Sequence, residues 1–192
     1  MKNPAVPVLA FVLTCVAAAA NAAPSDELHA AFEKVLAATS FRATVIDLKK
    51  GTPLSQMSYV APDRYRIDTQ GHVSLIIGDQ MYMDLGGGRL QAVPVPGVGK
   101  LIAQYRNPQT VREIEAGMQV EYVGEDRVDG EPARVYAYAT TKPTKSQAKA
   151  WISVTSGLPL QIESSGSAMG RSSVVRLRYQ DWNDGTIHID AP

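Results

Sequence analysis

The stretch from Met57 to Leu85, MSYVAPDRYRIDTQGHVSLIIGDQMYMDL, leaves this chain few folds to choose from. Tyr65 and Ile67 alternate with Arg64, Arg66 and Asp68, the two-residue period of a half-buried strand. Gly78-Asp79 suits a two-residue type II′ hairpin, whose first turn position requires positive φ. Strands meeting at that turn oppose Ile77 with Gln80, Ile76 with Met81, Leu75 with Tyr82 and Ser74 with Met83. One face then carries Ile76, Met81 and Met83, and the other Val73, Leu75, Ile77 and Tyr82. Both faces are apolar, so both have to be covered.

The remaining chain repeats the same strand-and-turn rhythm, with three helical interruptions. Ser25 to Ala38 offers Ser25 and Asp26 as N-caps and places Leu28, Phe32, Val35 and Leu36 at helical spacing. That helix either packs onto a sheet as ordinary core or forms part of the cover of a ligand cavity. Phe41–Leu48 and Leu54–Val60 read as strands about the Lys49–Pro53 turn, and Leu90–Val95 as an edge strand limited by Pro94 and Pro96. Lys100–Tyr105 makes a short helix. Asn107 as N-cap, Pro108 at the first position and Gly117 as stop define another, containing Val111 and Ile114. Two short helices between hairpins are either a lid over an open sheet or a crossover sealing the core.

Asp129-Gly130 is a strong two-residue turn signal, and its simplest register opposes Tyr122 with Ala137 and Val120 with Ala139. An alanine opposite a bulky residue leaves room above the sheet, filled either by another side chain or by part of a ligand. Lys142–Lys149 reads as a polar loop, Ala148–Val154 and Leu158–Ile162 as a hairpin, and the Ser/Gly-rich Ser164–Ser173 as a flexible loop. Val175–Tyr179 is a further strand, after which Ile187 and Ile189 close the sheet. The fold class is α+β: a curved antiparallel half-barrel of roughly nine to eleven strands, with an N-terminal helix and short lid helices on the concave side.

Chemistry is sparse. His29, His72 and His188 stand at no recognised metal-ligand spacing. Ser146-x-x-Lys149 matches a nucleophile motif in spacing but lacks its partner motifs. Gly86-Gly87-Gly88 lacks the strand-to-helix setting of a dinucleotide fingerprint, and Gly97–Lys100 misses P-loop spacing. The reading is therefore no catalytic residue, no metal and no cofactor.

Lys2, the apolar run from Pro4 to Ala20 and Ala20-Asn21-Ala22 form the n-region, h-region and cleavage site of an export signal. Residues 1–22 are thus expected to be a signal peptide and residues 23–192 a single domain. Thr14 before Cys15 argues against acylation of that cysteine, and without Cys15 the exported domain has no thiol chemistry. The full chain carries 19 Lys and Arg against 19 Asp and Glu. This balance, with no basic block, argues against nucleic-acid binding.

The Ala61-Pro62-Asp63-Arg64-Tyr65-Arg66-Ile67 strand and the Gly78-Asp79-Gln80-Met81-Tyr82-Met83 hairpin resemble the central region of the LolA/LolB-like lipoprotein-carrier superfamily. The likeness extends upstream, from helix His29–Ala38 into Ser40-Phe41-Arg42-Ala43-Thr44, and downstream to Ile187-His188-Ile189-Asp190-Ala191-Pro192. It covers most of the mature chain as pattern and element order. The resemblance implies a periplasmic, monomeric, non-enzymatic carrier of a lipid or of the acyl part of a lipoprotein, docking to inner- or outer-membrane proteins in outer-membrane lipoprotein sorting. The expected lining of its hollow is Phe32, Val45, Ile76, Met81, Met83, Leu101, Ile102, Tyr122 and Ala137. Such linings suit acyl chains, because methionine adapts to irregular guests and each buried methylene contributes about 0.8 kcal/mol. Carriers of this kind place an Arg before the Pro of the central strand, where it holds the lid shut; here that position is Ala61, and no other Arg is assigned the role. An alternative is a periplasmic regulatory or interaction module resembling the sensor domain of RseB/MucB-like proteins.

Overall fold

The Gly78-Asp79 turn sets the register of one end of the sheet. A computed structural model describes residues 22–104, 106–140, 146–168 and 171–192. The expected leader with Cys15, Tyr105 and residues 141–145 of the polar loop lie outside them. In chain order the elements are α1 (Pro24–Ala37), β1 (Ser40–Asp47), β2 (Thr52–Val60), β3 (Arg64–Thr69), β4 (His72–Ile77), β5 (Gln80–Asp84) and β6 (Leu90–Val93). There follow α2 (Val98–Gln104), α3 (Pro108–Glu115), β7 (Gln119–Val128), β8 (Glu131–Thr140), β9 (Ser146–Ser153), β10 (Pro159–Ala168) and β11 (Arg171–Gln180).

All eleven strands form one sheet in the order β6-β5-β4-β3-β2-β1-β11-β10-β9-β8-β7. Every neighbouring pair is antiparallel. Two meanders, β1–β6 and β7–β11, are stitched together by the β1–β11 ladder, while β6 and β7 remain edges. The result is an open, curved half-barrel with its helices on the concave face. Both edges are protected in ways that discourage further pairing: β6 is four residues long and ends at Pro94, and β7 carries Glu121, Glu125, Asp126 and Arg127.

The β4–β5 register is the expected one, Ile77 to Gln80 through Ser74 to Met83, and Gly78 has φ +58°. Leu75 and Ile76 point to opposite faces, and both are 4% exposed. On the concave face, Phe41, Ala43, Tyr59, Tyr65, Ile76 and Val98 form a core to which Met57, Ile67, Met81, Ile102, Leu177, Tyr179 and Trp182 are added. Its aromatic centre is tightly stacked: Phe41 lies 5.1 Å from Tyr59 and 4.9 Å from Trp182, and Tyr59 lies 5.0 Å from Tyr65. A second concave core joins Leu28 and Ala31 of α1 to Tyr136, Ala150 and Ile152. On the opposite face Val128, Ala133, Val135 and Trp151 make a smaller cluster.

Four local expectations need correction. Helix α1 begins at Pro24, with Ala23 in the N-cap position and no side-chain cap; Pro24 lacks an N–H and suits that first position, leaving Ser25 and Asp26 inside the first turn. The Ser/Gly-rich Ser164–Ser173 segment is mostly ladder, pairing Ser164 with Val175 through Ala168 with Arg171, because backbone hydrogen bonding extends a hairpin regardless of polar side chains. Ile187 and Ile189 are 5% and 4% exposed but lie in a tail without strand pairing. Side chains fasten that tail: Ser40 Oγ donates to Asp184 O (2.8 Å), and Arg64 Nη1 donates to Ile189 O (2.6 Å).

The fourth correction concerns β7–β8. Asp129-Gly130 turns as expected, but the register shifts between Tyr122 and Gly124, so that Tyr122 faces Tyr136 and Val120 faces Tyr138. Val123 is the extra residue, and Gly124 takes φ +141°, a bulge that glycine accommodates. Because the side-chain period is two, the one-residue shift moves Tyr122 and Val120 off the alanine face and onto the tyrosine face.

Candidate functional site

Helix α3 presents Val111, Ile114 and Glu115 toward the sheet, a spacing that aligns residues three and four apart, and Met118 follows just beyond its end. Asn107 accepts hydrogen bonds from the backbone N–H groups of Gln109 (2.8 Å) and Thr110 (3.2 Å), so the helix starts where its cap dictates. Beneath it lies a cavity of about 230 Å³ bounded by α1, α3 and β8–β10. Its apolar wall is Phe32, Val111, Ile114, Met118, Tyr138 and Ala148. Phe32 meets Tyr138 edge-on at 6.0 Å. Thr140, Ser146 and Ser164 supply hydroxyls on the sheet side, and Glu115 lines the cavity from the helix side.

The helices are held unequally. Helix α1 is fixed at its start by Arg134, which donates to both Glu27 carboxylate oxygens (2.6 and 2.7 Å), and by the Tyr136 hydroxyl, which also donates to Glu27. Burial, reinforced by that acceptor, pushes the Tyr136 phenol up. Lys34 Nζ donates to Ser156 O at 2.6 Å. At the C-terminus of α1, Arg106 Nη2 donates to Val35 O (3.1 Å), Leu36 O (2.8 Å) and Ala38 O (3.4 Å). The same guanidinium lies 4.0 Å from the centre of the Tyr59 ring. It therefore supplies a charged donor to the carbonyls at the helix end, of which Val35 O also accepts from Ala38 N–H, and joins the α2–α3 segment to the aromatic core. The polar tie between α3 and α1 is His29 Nδ1 to Glu115 Oε2, and the other ring nitrogen of His29 is 3.4 Å from Glu33. Desolvation pushes the Glu115 carboxyl up, with His29 opposing.

A second space of about 180 Å³ lies between α2 and β3–β4, lined by Tyr65, Ile76, Ile102 and Arg106 among others. Helix α2 sits close on the β4–β5 turn: a Cβ on Gly99 would fall 2.6 Å from Gly78 O and collide with Asp79 Oδ1. A larger depression, about 650 Å³, has Ala137 and Ala139 at its floor between Glu121, Lys149 and Glu163. Those residues share the sheet face that points away from the helices.

The nine expected lining residues are thus dispersed. Phe32 lines the α1–α3 cavity, and Ile76 and Ile102 line the α2 space. Met81 packs on the aromatic core, with Met83 two residues on along the same face. Val45 is half-buried opposite Leu177. Tyr122 lies on the concave face, 37% exposed and 5.7 Å from Tyr136. Leu101 is 56% exposed, on the side of α2 away from the core. Ala137 lies on the opposite face, between Glu121 and Lys149. Reading the residues singly missed Tyr138, Ala148 and Met118, and also Arg106 and Glu115. Glu115 carried a signal: a carboxylate in the same helical stripe as Val111 and Ile114. Ser146 and Lys149 point to opposite faces of β9, which removes the S-x-x-K geometry. Among the described residues there is no group of three or more metal-ligating side chains and no helix long and apolar enough to cross a membrane.

No protein-family model matches the sequence, and no curated protein is significantly similar to it. Solved structures do match. The lipoprotein LppX of Mycobacterium tuberculosis superposes with a TM-score of 0.64 at 14% identity, over 86% of this chain and 97% of that one. LprF of Mycobacterium bovis gives 0.65 at 12% identity, over 88% and 96%. The fold is LolA/LolB-like. In this LolA/LolB-like sheet the central strand carries Ala61 before Pro62, and Arg106, from the lid side, makes the bonds that tie lid to helix. A looser likeness, TM-score 0.48 at 18% identity over 87% of this chain and 59% of that one, is to the Pseudomonas aeruginosa MucA/MucB complex and carries no weight here.

Proposed function

We propose that the protein is an exported, non-enzymatic binder of a lipid or of the acyl part of a lipoprotein, acting in the periplasm after loss of residues 1–22. The observation that carries this reading is the apolar cavity between α1, α3 and β8–β10. At about 230 Å³ it is below the ~300–1,000 Å³ of a full small-molecule site. Admission of a whole chain requires α3 to swing outward, which merges the cavity with the surface between α3 and the sheet. Apolar walls of this kind stay shielded from water until cargo arrives, and the energy of each methylene transferred, about 0.8 kcal/mol, offsets the displacement of one short helix.

Native mass spectrometry of the protein purified from membranes tests the reading. Co-purifying phospholipid or acylated protein supports it, whereas a bare chain, or a stoichiometric unacylated protein partner, counts against it. Ala148→Phe, which fills the cavity from β9, is expected to abolish uptake of a dodecyl-chain probe without lowering the melting temperature. Unchanged uptake in that variant moves the site elsewhere.

A further inference from the structure

The apolar cavity contains one group that an acyl chain does not need. The Glu115 side chain is 10% exposed. One of its oxygens is paired with His29, and the other, Oε1, is buried without a hydrogen-bond partner among the described residues. A buried carboxylate oxygen left unpaired costs on the order of 1–3 kcal/mol or more, so its persistence in a residue lining this cavity points to a partner brought by the ligand. The surroundings agree. Thr140 and Ser146 hydroxyls lie 2.8 Å apart on the sheet side of the cavity, and Ser164 adds a third hydroxyl. The cavity therefore has an apolar wall, three hydroxyls on its sheet side and one carboxylate on its helix side.

We propose that Glu115 makes this cavity select amphiphiles whose polar head donates a hydrogen bond, a hydroxyl or an ammonium, to its Oε1, and reject those with an anionic head. This rests on the acyl-binding reading above and specifies the head group within it. His29 holds the carboxylate in place through Oε2, leaving Oε1 for a donor that arrives as α3 moves outward. An ammonium adds a charge-assisted bond, roughly twice as strong as a neutral one. A carboxylate or phosphate head would set two acceptors, both negatively charged, against each other beside a carboxylate that is itself mostly buried. The serine and threonine hydroxyls serve either head, since each can donate or accept.

The test is isothermal titration calorimetry of the purified protein with dodecylamine, dodecanol and laurate, each below its micelle-forming concentration. The wild type is expected to bind the amine and the alcohol at least about ten-fold more tightly than laurate, the ratio that one such bond supplies. Glu115→Gln is expected to lose the preference for the amine while keeping that for the alcohol. Glu115→Met, which keeps the side-chain length but removes the acceptor, should bind all three within about three-fold, with melting curves confirming that both variants fold. Laurate binding as tight as the amine in the wild type, or a preference that survives in Glu115→Met, overturns the proposal. Binding without head preference that is lost in Ala148→Phe overturns the head-group selection and leaves the acyl site standing. Absence of binding by all three compounds overturns both.

Discussion

Arg106 ties the α2–α3 segment, the end of α1 and the aromatic core together. Three carbonyls at the end of α1 and the Tyr59 ring converge on one guanidinium. A hydrogen bond to a charged donor contributes about 1.5–3 kcal/mol and a partly exposed cation–π contact about 0.5–1. Arg106→Ala is therefore expected to lower stability by about 2–3 kcal/mol in urea unfolding. Arg106→Lys should recover less than half of that, because an ammonium cannot serve three carbonyls and a ring with one planar fork. The tyrosines give a second residue-scale prediction. Burial pushes the phenols of Tyr65 and Tyr138 up to about 12. A group whose folded pKa exceeds its unfolded value contributes stability that is complete below the unfolded pKa, near 10, and is lost as pH rises through the folded one. Stability should hold up to about pH 10 and fall between about 10 and 12, with phenolate absorbance and loss of tertiary circular dichroism rising together. Phenolate formation in that window with the fold intact would show that these rings are not buried.

Among the elements, the bulge in β7 decides which residues reach the concave core. Gly124 at φ +141° sits in a backbone region that other residues adopt at a cost of order 1–3 kcal/mol. Gly124→Val is expected to lose about that much stability and to shift Tyr122 out of contact with Tyr136, which crystallography or Tyr122 ring shifts in NMR would report. A neutral substitution with the ring contact preserved would mean that the bulge tolerates any residue. The β4–β5 hairpin is the opposite case: Gly78 and Asp79 set its turn, and every side chain follows from there. Helix α2 then depends on that turn, since Gly99 packs against Gly78 and Asp79.

At the scale of the whole molecule, the two meanders meet only at β1–β11, and the helices are distributed over both. Helix α1 is anchored to the sheet through Glu27 and Lys34 and tied to the α2–α3 segment through Arg106. Helix α3 relies on its apolar stripe and on the His29–Glu115 pair. Opening should therefore proceed by release of α3 with α1 in place. Hydrogen exchange with a saturating acyl probe is expected to show lower protection in residues 108–115 and unchanged protection in residues 28–35. The melting temperature should rise, as binding at about 100 times Kd adds some 2.7 kcal/mol. Equal loss of protection in both helices would mean that the cover moves as one body.

Alternation, turn and cap signals are local, and they were enough by themselves to determine most of the strands, the Gly78-Asp79 register, the Asn107-Pro108 helix start and an open sheet with helices over one face, though not the Ser/Gly-rich β10–β11 ladder, the start of β9 or the unpaired tail. Each depends on residues a few positions apart. What they also could not decide was anything that depends on two distant segments meeting. The shift at Val123 reversed which face Tyr122 occupies, and no composition signal marks a bulge at a lone glycine. Arg106 reaches carbonyls about 70 residues away, and His29 meets Glu115 across 86. Those contacts exist only once α1, α3 and the sheet have packed together, and that packing is what turns an ordinary surface carboxylate into a buried one beside a cavity.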